Sequence, residues 1–148
     1  MNILRNEVEV TLNDLAIACR EAAIHHRTAA EIAGEGELRR ALDRLSRSRA
    51  REHEEILEIL KNLGDTPNAP AHEKEFLDSA VARFKAAISK DERAALLADC
   101  QSKEDRIGES ARAALRHAED DALRSRLAKL EENARTSVPA LQKKFVST

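Results

Sequence analysis

Five side chains have the types and positions that could bind a metal ion inside a helical protein. They are two histidines and three glutamates, His26, Glu52, His53, Glu104 and Glu131. Helical bundles hold pairs of iron or manganese ions with about four carboxylates and two histidines on facing helices. The sequence therefore raises the question of whether these residues form a metal site or belong to ordinary helix faces.

The spacing around the histidines departs from the pattern of a di-metal centre, which places Glu-x-x-His on two helices. Alanine stands three residues before every histidine of this chain, so Glu-x-x-His does not occur. At 100° per residue, Arg49 and Glu52 fall within the apolar stripe of their helix. Because arginine keeps its proton, Arg49 would repel a cation from this place.

Helical periodicity without any strand pattern predicts an all-α chain. Thr11 and Asp14 resemble a capping box at the start of the first helix, Gly34 follows its end, and Ser89 with Glu92 resembles a second capping box. Five helices are predicted, at about 12–33, 37–63, 71–88, 91–118 and 121–145. The long connection after the second helix makes the second and third long helices parallel. We therefore predict a ferritin-like four-helix bundle whose long crossover contains a short extra helix.

The parallel arrangement would bring polar residues of several helices to one depth. Arg49, Glu52 and Glu104 would each lie roughly 18 to 22 Å along their helices at about 1.5 Å per residue. His26 interrupts the apolar stripe of the first helix, while His53 and Glu131 lie at stripe edges. Three explanations stay open: an ion-pair layer around Arg49, a bound metal or other ligand, and a register in which these side chains reach solvent.

The composition restricts the class of protein. The 148 residues include 25 basic and 27 acidic ones, interleaved to a net charge of −2, and three phenylalanines are the only aromatic residues besides histidine. Such a chain lacks a stacking platform for bases and a basic patch, which argues against binding nucleic acid or anionic membranes. It also has neither a signal-peptide pattern nor a run of about eighteen apolar residues. We expect one cytoplasmic domain over residues 1–148.

Three runs of the sequence resemble a bacterial uncharacterised family of the ferritin-like (rubrerythrin-related) superfamily: "VEVTLNDLAIACREAA", "REHEEILEILKNLGD" and "LADCQSKEDRIGESARAAL". The resemblance implies a ferritin-like fold with carboxylate ligands on the long helices, and Glu104 and Glu131 match its acidic positions. Ser48 and Arg51 stand where the second helix would supply Glu-x-x-His or Glu-x-x-Gln. Thr136 lies near the corresponding histidine position of the last helix. These departures count against iron oxidation or oxygen activation.

A second apolar stripe on the first helix indicates how the protein could associate. Val10, Ile17 and Ile24 recur every seven residues opposite the core-facing stripe, and either another helix or a symmetric dimer covers them. The leading hypothesis is a non-catalytic ferritin-like bundle without cofactor, a homodimer that works as an oligomerising or partner-binding, stress-associated protein. The alternative is an iron- or manganese-binding protein that uses the five residues named first.

Overall fold

The computed structural model describes residues 6–64 and 89–146, and these form four long helices. The helices are α1 (Glu7–Ala33), α2 (Glu37–Asn62), α3 (Lys90–His117) and α4 (Asp121–Phe145). No strand occurs in the two described ranges. The predicted all-α four-helix bundle is thereby confirmed. The predicted helix at 71–88 falls outside the described residues.

The predicted start of the first helix near residue 12 is wrong, because α1 begins at Glu7. The Asn6 side chain accepts a hydrogen bond from the Glu9 amide at 2.8 Å and caps the helix. The Thr11 hydroxyl instead donates to the Glu7 carbonyl at 2.8 Å, within the helix. Asparagine is among the strongest N-caps, whereas a threonine inside a helix satisfies its hydroxyl on the preceding turn.

The other helix ends follow the local chemistry of the sequence. Gly34 ends α1 with φ of 81°, a left-handed conformation that glycine adopts without steric cost. Ser89 and Glu92 form the predicted capping box at the start of α3, with each side chain bonded to the backbone of the other. Asp120 caps α4 by accepting from the Leu123 amide at 2.9 Å. These caps fix where each helix begins relative to the bundle.

Two apolar clusters fill the bundle, one towards each end. The first joins the N-terminal halves of α1 and α4 to the C-terminal halves of α2 and α3, and includes Leu12, Leu15, Ile56, Leu60, Ile107, Ala111, Leu127 and Leu130. The second joins the opposite halves and includes Ala29, Ala30, Leu38, Leu42, Leu45, Leu97, Cys100 and Val138. Burying each such leucine contributes about 1.5–3 kcal/mol. The clusters show that α2 and α3 are parallel, as predicted, and that α1 and α4 run the other way.

The helices do not pack equally against one another. α1 contacts α2 and α3 extensively and α3 contacts α4, whereas α2 and α4 contact each other at only a few points. Cys19 and Cys100 are buried free thiols that belong to different clusters. In the part of the chain that the structure describes, no helix is long and apolar enough to cross a membrane. The space between the two apolar clusters is where polar side chains enter the core.

Candidate functional site: a buried polar layer

A layer of polar side chains separates the two apolar clusters. His26 of α1, Arg49 of α2 and Glu104 of α3 each have 0% of their surface exposed. A charge with no access to water must be paired and hydrogen-bonded, since its desolvation costs several kcal/mol. The register of the helices meets this requirement by bringing the three side chains together.

Arg49 and Glu104 form the centre of the layer. The Arg49 Nε–H donates to both Glu104 oxygens, at 2.9 Å to Oε2 and 3.1 Å to Oε1, and Nη2 donates to Oε1 as well. His26 Nε2 donates to Glu104 Oε2 at 2.9 Å. Burial alone would raise the pKa of the Glu104 carboxyl, but these hydrogen bonds outweigh it and hold the pKa below its ordinary value. Glu104 is therefore ionised and both of its oxygens are engaged.

Arg49 also reaches the remaining helices. Its Nη1 donates to Glu52 Oε1 at 2.7 Å, one turn further along α2, and its Nη2 donates to Asn133 Oδ1 of α4 at 2.8 Å. Burial raises the pKa of the Glu52 carboxyl despite its bond to Arg49. Through Glu104 the guanidinium is linked to His26, so one side chain connects all four helices.

The two adjacent histidines of α1 differ in their surroundings. The Nε2 atom of His26 is hydrogen-bonded to Glu104. The Nδ1 atom of the same ring is buried and has no hydrogen-bond partner among the described residues. The His25 ring stands edge-on to His26, with 6.0 Å between their centroids. Burial, then His26 and Lys103, lower the pKa of His25 from 6.5 to about 4, against a smaller opposing effect of Asp99. His25 is thus neutral at physiological pH.

His53 lies outside the polar layer. Its ring is 4% exposed, and Nδ1 donates to the Ala16 carbonyl of α1 at 2.8 Å. Because a carbonyl oxygen only accepts, Nδ1 carries the proton and is not available as a metal ligand. His53 also lines a cavity between α1 and α2.

Glu131 likewise lies apart from the layer. Its carboxylate approaches Arg112 at 3.7 Å and Arg135 at 3.9 Å on the outside of α4. The residue of α4 that reaches the layer is Asn133, which the sequence did not indicate, because its position flanks the apolar stripe and nothing else distinguishes it.

Three of the five candidate ligands are therefore brought together, around a cation that belongs to the protein. His26 and Glu104 are in direct contact, and Glu52 joins them through Arg49. Over residues 6–64 and 89–146, no cluster of three or more His, Cys, Asp or Glu side chains has an arrangement that could hold a metal ion. In this arrangement the guanidinium of Arg49 neutralises buried carboxylates, and its hydrogen bonds fix the relative register of the helices.

Comparison with known proteins identifies a family to which most of the chain is similar. The model of a protein family described as "Domain of unknown function (DUF2383)" matches residues 7–117. The matched part contains α1, α2 and α3, and hence every residue of the layer except Asn133. Comparisons with curated proteins and with solved structures found no match.

Proposed function

We propose that this chain, which belongs to the DUF2383 family, is a non-catalytic ferritin-like bundle that works by self-association and partner binding. One observation carries the proposal: Arg49 stands at the centre of the bundle and donates to Glu52, Glu104 and Asn133. In di-metal bundles, the central cation bound by carboxylates of the helices is a metal ion. In this chain the side chain of Arg49 is the cation.

Electrostatics supports the exclusion of a metal ion by Arg49. Two unit positive charges about 4 Å apart repel by about 4 kcal/mol at an effective dielectric constant of 20, and a divalent ion would feel about twice that. Arginine cannot relieve the repulsion by losing its proton. A metal ion could therefore enter only if the buried Arg49 left Glu104, which would leave a guanidinium without its strongest partner.

The surface through which we propose self-association is the outer face of α1. Val10 is 41% exposed, and Ile17 and Ile24 are half-buried on the same face. A twofold axis across this stripe would bury it against its own copy. The association with cellular stress is a hypothesis that comes from the sequence alone.

Elemental analysis of protein purified from iron- and manganese-supplemented medium tests the non-catalytic part of the proposal. We expect no stoichiometric metal in the wild-type chain. One or two metal ions per chain, lost in Glu104→Gln, would overturn the proposal. The alternative, a metal carrier that uses His26, Glu52, His53, Glu104 and Glu131, would then replace it.

Sedimentation equilibrium tests the self-association. Val10→Glu places a charge in the proposed seam and should convert a dimer to a monomer. Leu63→Glu is the matched control, since Leu63 is 47% exposed and follows the last residue of α2 rather than belonging to the α1 stripe. A monomeric wild-type chain, or a dimer that survives Val10→Glu, would contradict the proposed seam.

A further inference from the structure

Four exposed arginines form a stripe along the outer face of α2. At 100° per residue they fall within about 60° of one another, on the side of the helix opposite the buried Arg49. The arginine stripe consists of Arg40, Arg44, Arg47 and Arg51. The interleaved charges of the sequence predicted no basic patch. For α2 this prediction is wrong, because the helical repeat brings residues three and four apart onto one face.

The charges of the arginine stripe are not compensated within the bundle. None of its four side chains forms an ion pair or a hydrogen bond with another residue of the described ranges. Other exposed arginines do, since Arg106 contacts Glu21 at 3.4 Å and Arg112 contacts Glu131 at 3.7 Å. Like charges three and four residues apart destabilise a helix. A local cost of this kind, without a compensating contact in the described chain, is typical of a functional surface.

Acidic side chains limit the arginine stripe at both ends. Glu37 precedes it by one turn and contacts Lys144 at 3.3 Å. Glu54 and Glu58 continue the same face beyond it, and both are exposed. The positive surface is therefore about 16 Å long, or three helical turns. A long polyanion that followed α2 would meet these carboxylates, and α2 has no Phe, Tyr or Trp on which a base could stack.

We propose that the arginine stripe binds an acidic amphipathic helix of a partner protein. This inference rests on the proposed function, and it names the class of partner for the partner binding proposed there. The partner helix carries Asp or Glu at positions i, i+4, i+7 and i+11, and a basic residue beyond them that faces Glu54 or Glu58.

Helix geometry supports this partner. Two helices that cross at a small angle stay side by side over about three turns. Because both have the same repeat, carboxylates at the spacing of the arginine stripe meet its guanidinium groups one by one. A guanidinium group matches a carboxylate in geometry as well as in charge, through two parallel hydrogen bonds.

An NMR titration of the isotopically labelled chain with a synthetic peptide tests the proposal. The probe is an alanine-rich peptide of about twenty residues, long enough to form a helix in water, with glutamates at i, i+4, i+7 and i+11. We expect it to shift the Nε–H signals of the arginine stripe, and sodium chloride should weaken its binding because salt screens exposed charges.

A second peptide of the same composition, with its glutamates distributed around the helix, separates geometry from charge. It can turn about half of its carboxylates towards α2 at one time. It should therefore bind about tenfold more weakly, roughly threefold for each exposed ion pair that is lost. Equal affinities of the two peptides would contradict a site for an acidic helix face.

A double variant, Arg44→Gln with Arg47→Gln, should also weaken binding of the first peptide by about tenfold. The matched control is Arg116→Gln with Lys143→Gln, which removes the same charge from exposed positions of α3 and α4 and should bind as the wild type does. If the first double variant does not fold, Arg40→Gln with Arg51→Gln tests the same prediction. A control variant that binds as weakly as the stripe variant would overturn the proposal, since net charge alone would then explain the binding.

An oligothymidylate with the same number of negative charges tests the other class of partner. It should bind more weakly than the first peptide. Tighter binding of the oligonucleotide would overturn the assignment to an acidic helix, and so would the absence of any peptide-induced shift at the arginine stripe.

The titration is repeated on Val10→Glu, because the proposed dimer seam lies on α1 and the arginine stripe on α2. The monomeric variant should bind the peptide as tightly as the wild type. A wild-type dimer that fails to bind the peptide would refute the partner and leave the self-association standing. A wild-type monomer that binds it would do the reverse.

Discussion

The stability of Arg49 and Glu104 variants can be predicted from the geometry of the layer. Arg49→Met leaves the ionised Glu104 fully buried with only His26 as a donor, and Glu104→Met leaves Arg49 buried with Glu52 and Asn133. Breaking a buried ion pair by removing one member costs about 3–5 kcal/mol. Small domains have a free energy of unfolding of about 5–15 kcal/mol, so each single variant should lose a large part of its stability.

The double variant should be less damaged than Arg49→Met alone. Replacing both members by apolar residues of similar volume removes the buried charges together, which is often neutral or stabilising. The remaining penalties are the His26 Nε2–H, which loses its acceptor at a cost of about 1–3 kcal/mol, and the half-buried Glu52 and the exposed Asn133, which lose Arg49 as a donor. The coupling energy between the two positions should therefore be about 3 kcal/mol or more, in the range measured for close charge pairs.

Urea unfolding followed by circular dichroism measures all four chains of this cycle, provided that the slope m stays the same. A loss of less than about 1 kcal/mol in each single variant, with additive losses in the double variant, would contradict a buried and coupled ion pair. Such a result would mean that the pair behaves as an exposed salt bridge in a different register.

Three further predictions concern the helix cap, one histidine and the thiols. Asn6→Ala should lower the free energy of unfolding by about 1 kcal/mol, whereas Thr11→Ala should change it by less than half of that in the same urea titration. Because the pKa of His25 is lowered from 6.5 to about 4, the unfolded chain binds more protons between these values, and stability should fall as the pH decreases from 6.5 to 4. His25→Gln should flatten that part of a stability profile, and an unchanged profile would exclude His25 as its cause. Burial raises the pKa of Cys19 and raises that of Cys100 to about 12, so a thiol reagent at neutral pH should label them only as the chain opens, at a rate that urea increases.

Most of the fold could be predicted because its signals are local. Gly34, the capping box from Ser89 to Glu92 and the apolar periodicity each depend on neighbouring residues, and the structure has helices where they indicate them. The predicted start of α1 is wrong for a reason that is also local. Asn6 and Thr11 are both capping residue types, and only the structure shows which of them has its side chain outside the helix.

The polar layer could be predicted in part. Arg49, Glu52 and Glu104 stand within apolar stripes, so their angular positions alone indicate that they meet in the interior. Asn133 and His53 flank such stripes, where a small rotation of the helix decides whether a side chain turns inward. The rotation of α2 about its axis places His53 Nδ1 within hydrogen-bond distance of the Ala16 carbonyl. The rotation of α4 places Asn133 within hydrogen-bond distance of Arg49. Tertiary packing sets these rotations, and the sequence pattern does not contain them.

We propose that Arg49 holds the carboxylates that a metal ion would otherwise bind. The most direct test is a crystal structure of protein produced in iron- and manganese-rich medium, with anomalous data collected at both absorption edges. We expect the Arg49 guanidinium within hydrogen-bond distance of Glu52 and Glu104, and no anomalous peak between them. An anomalous peak bonded to Glu104, with Arg49 turned away from the layer, would contradict it.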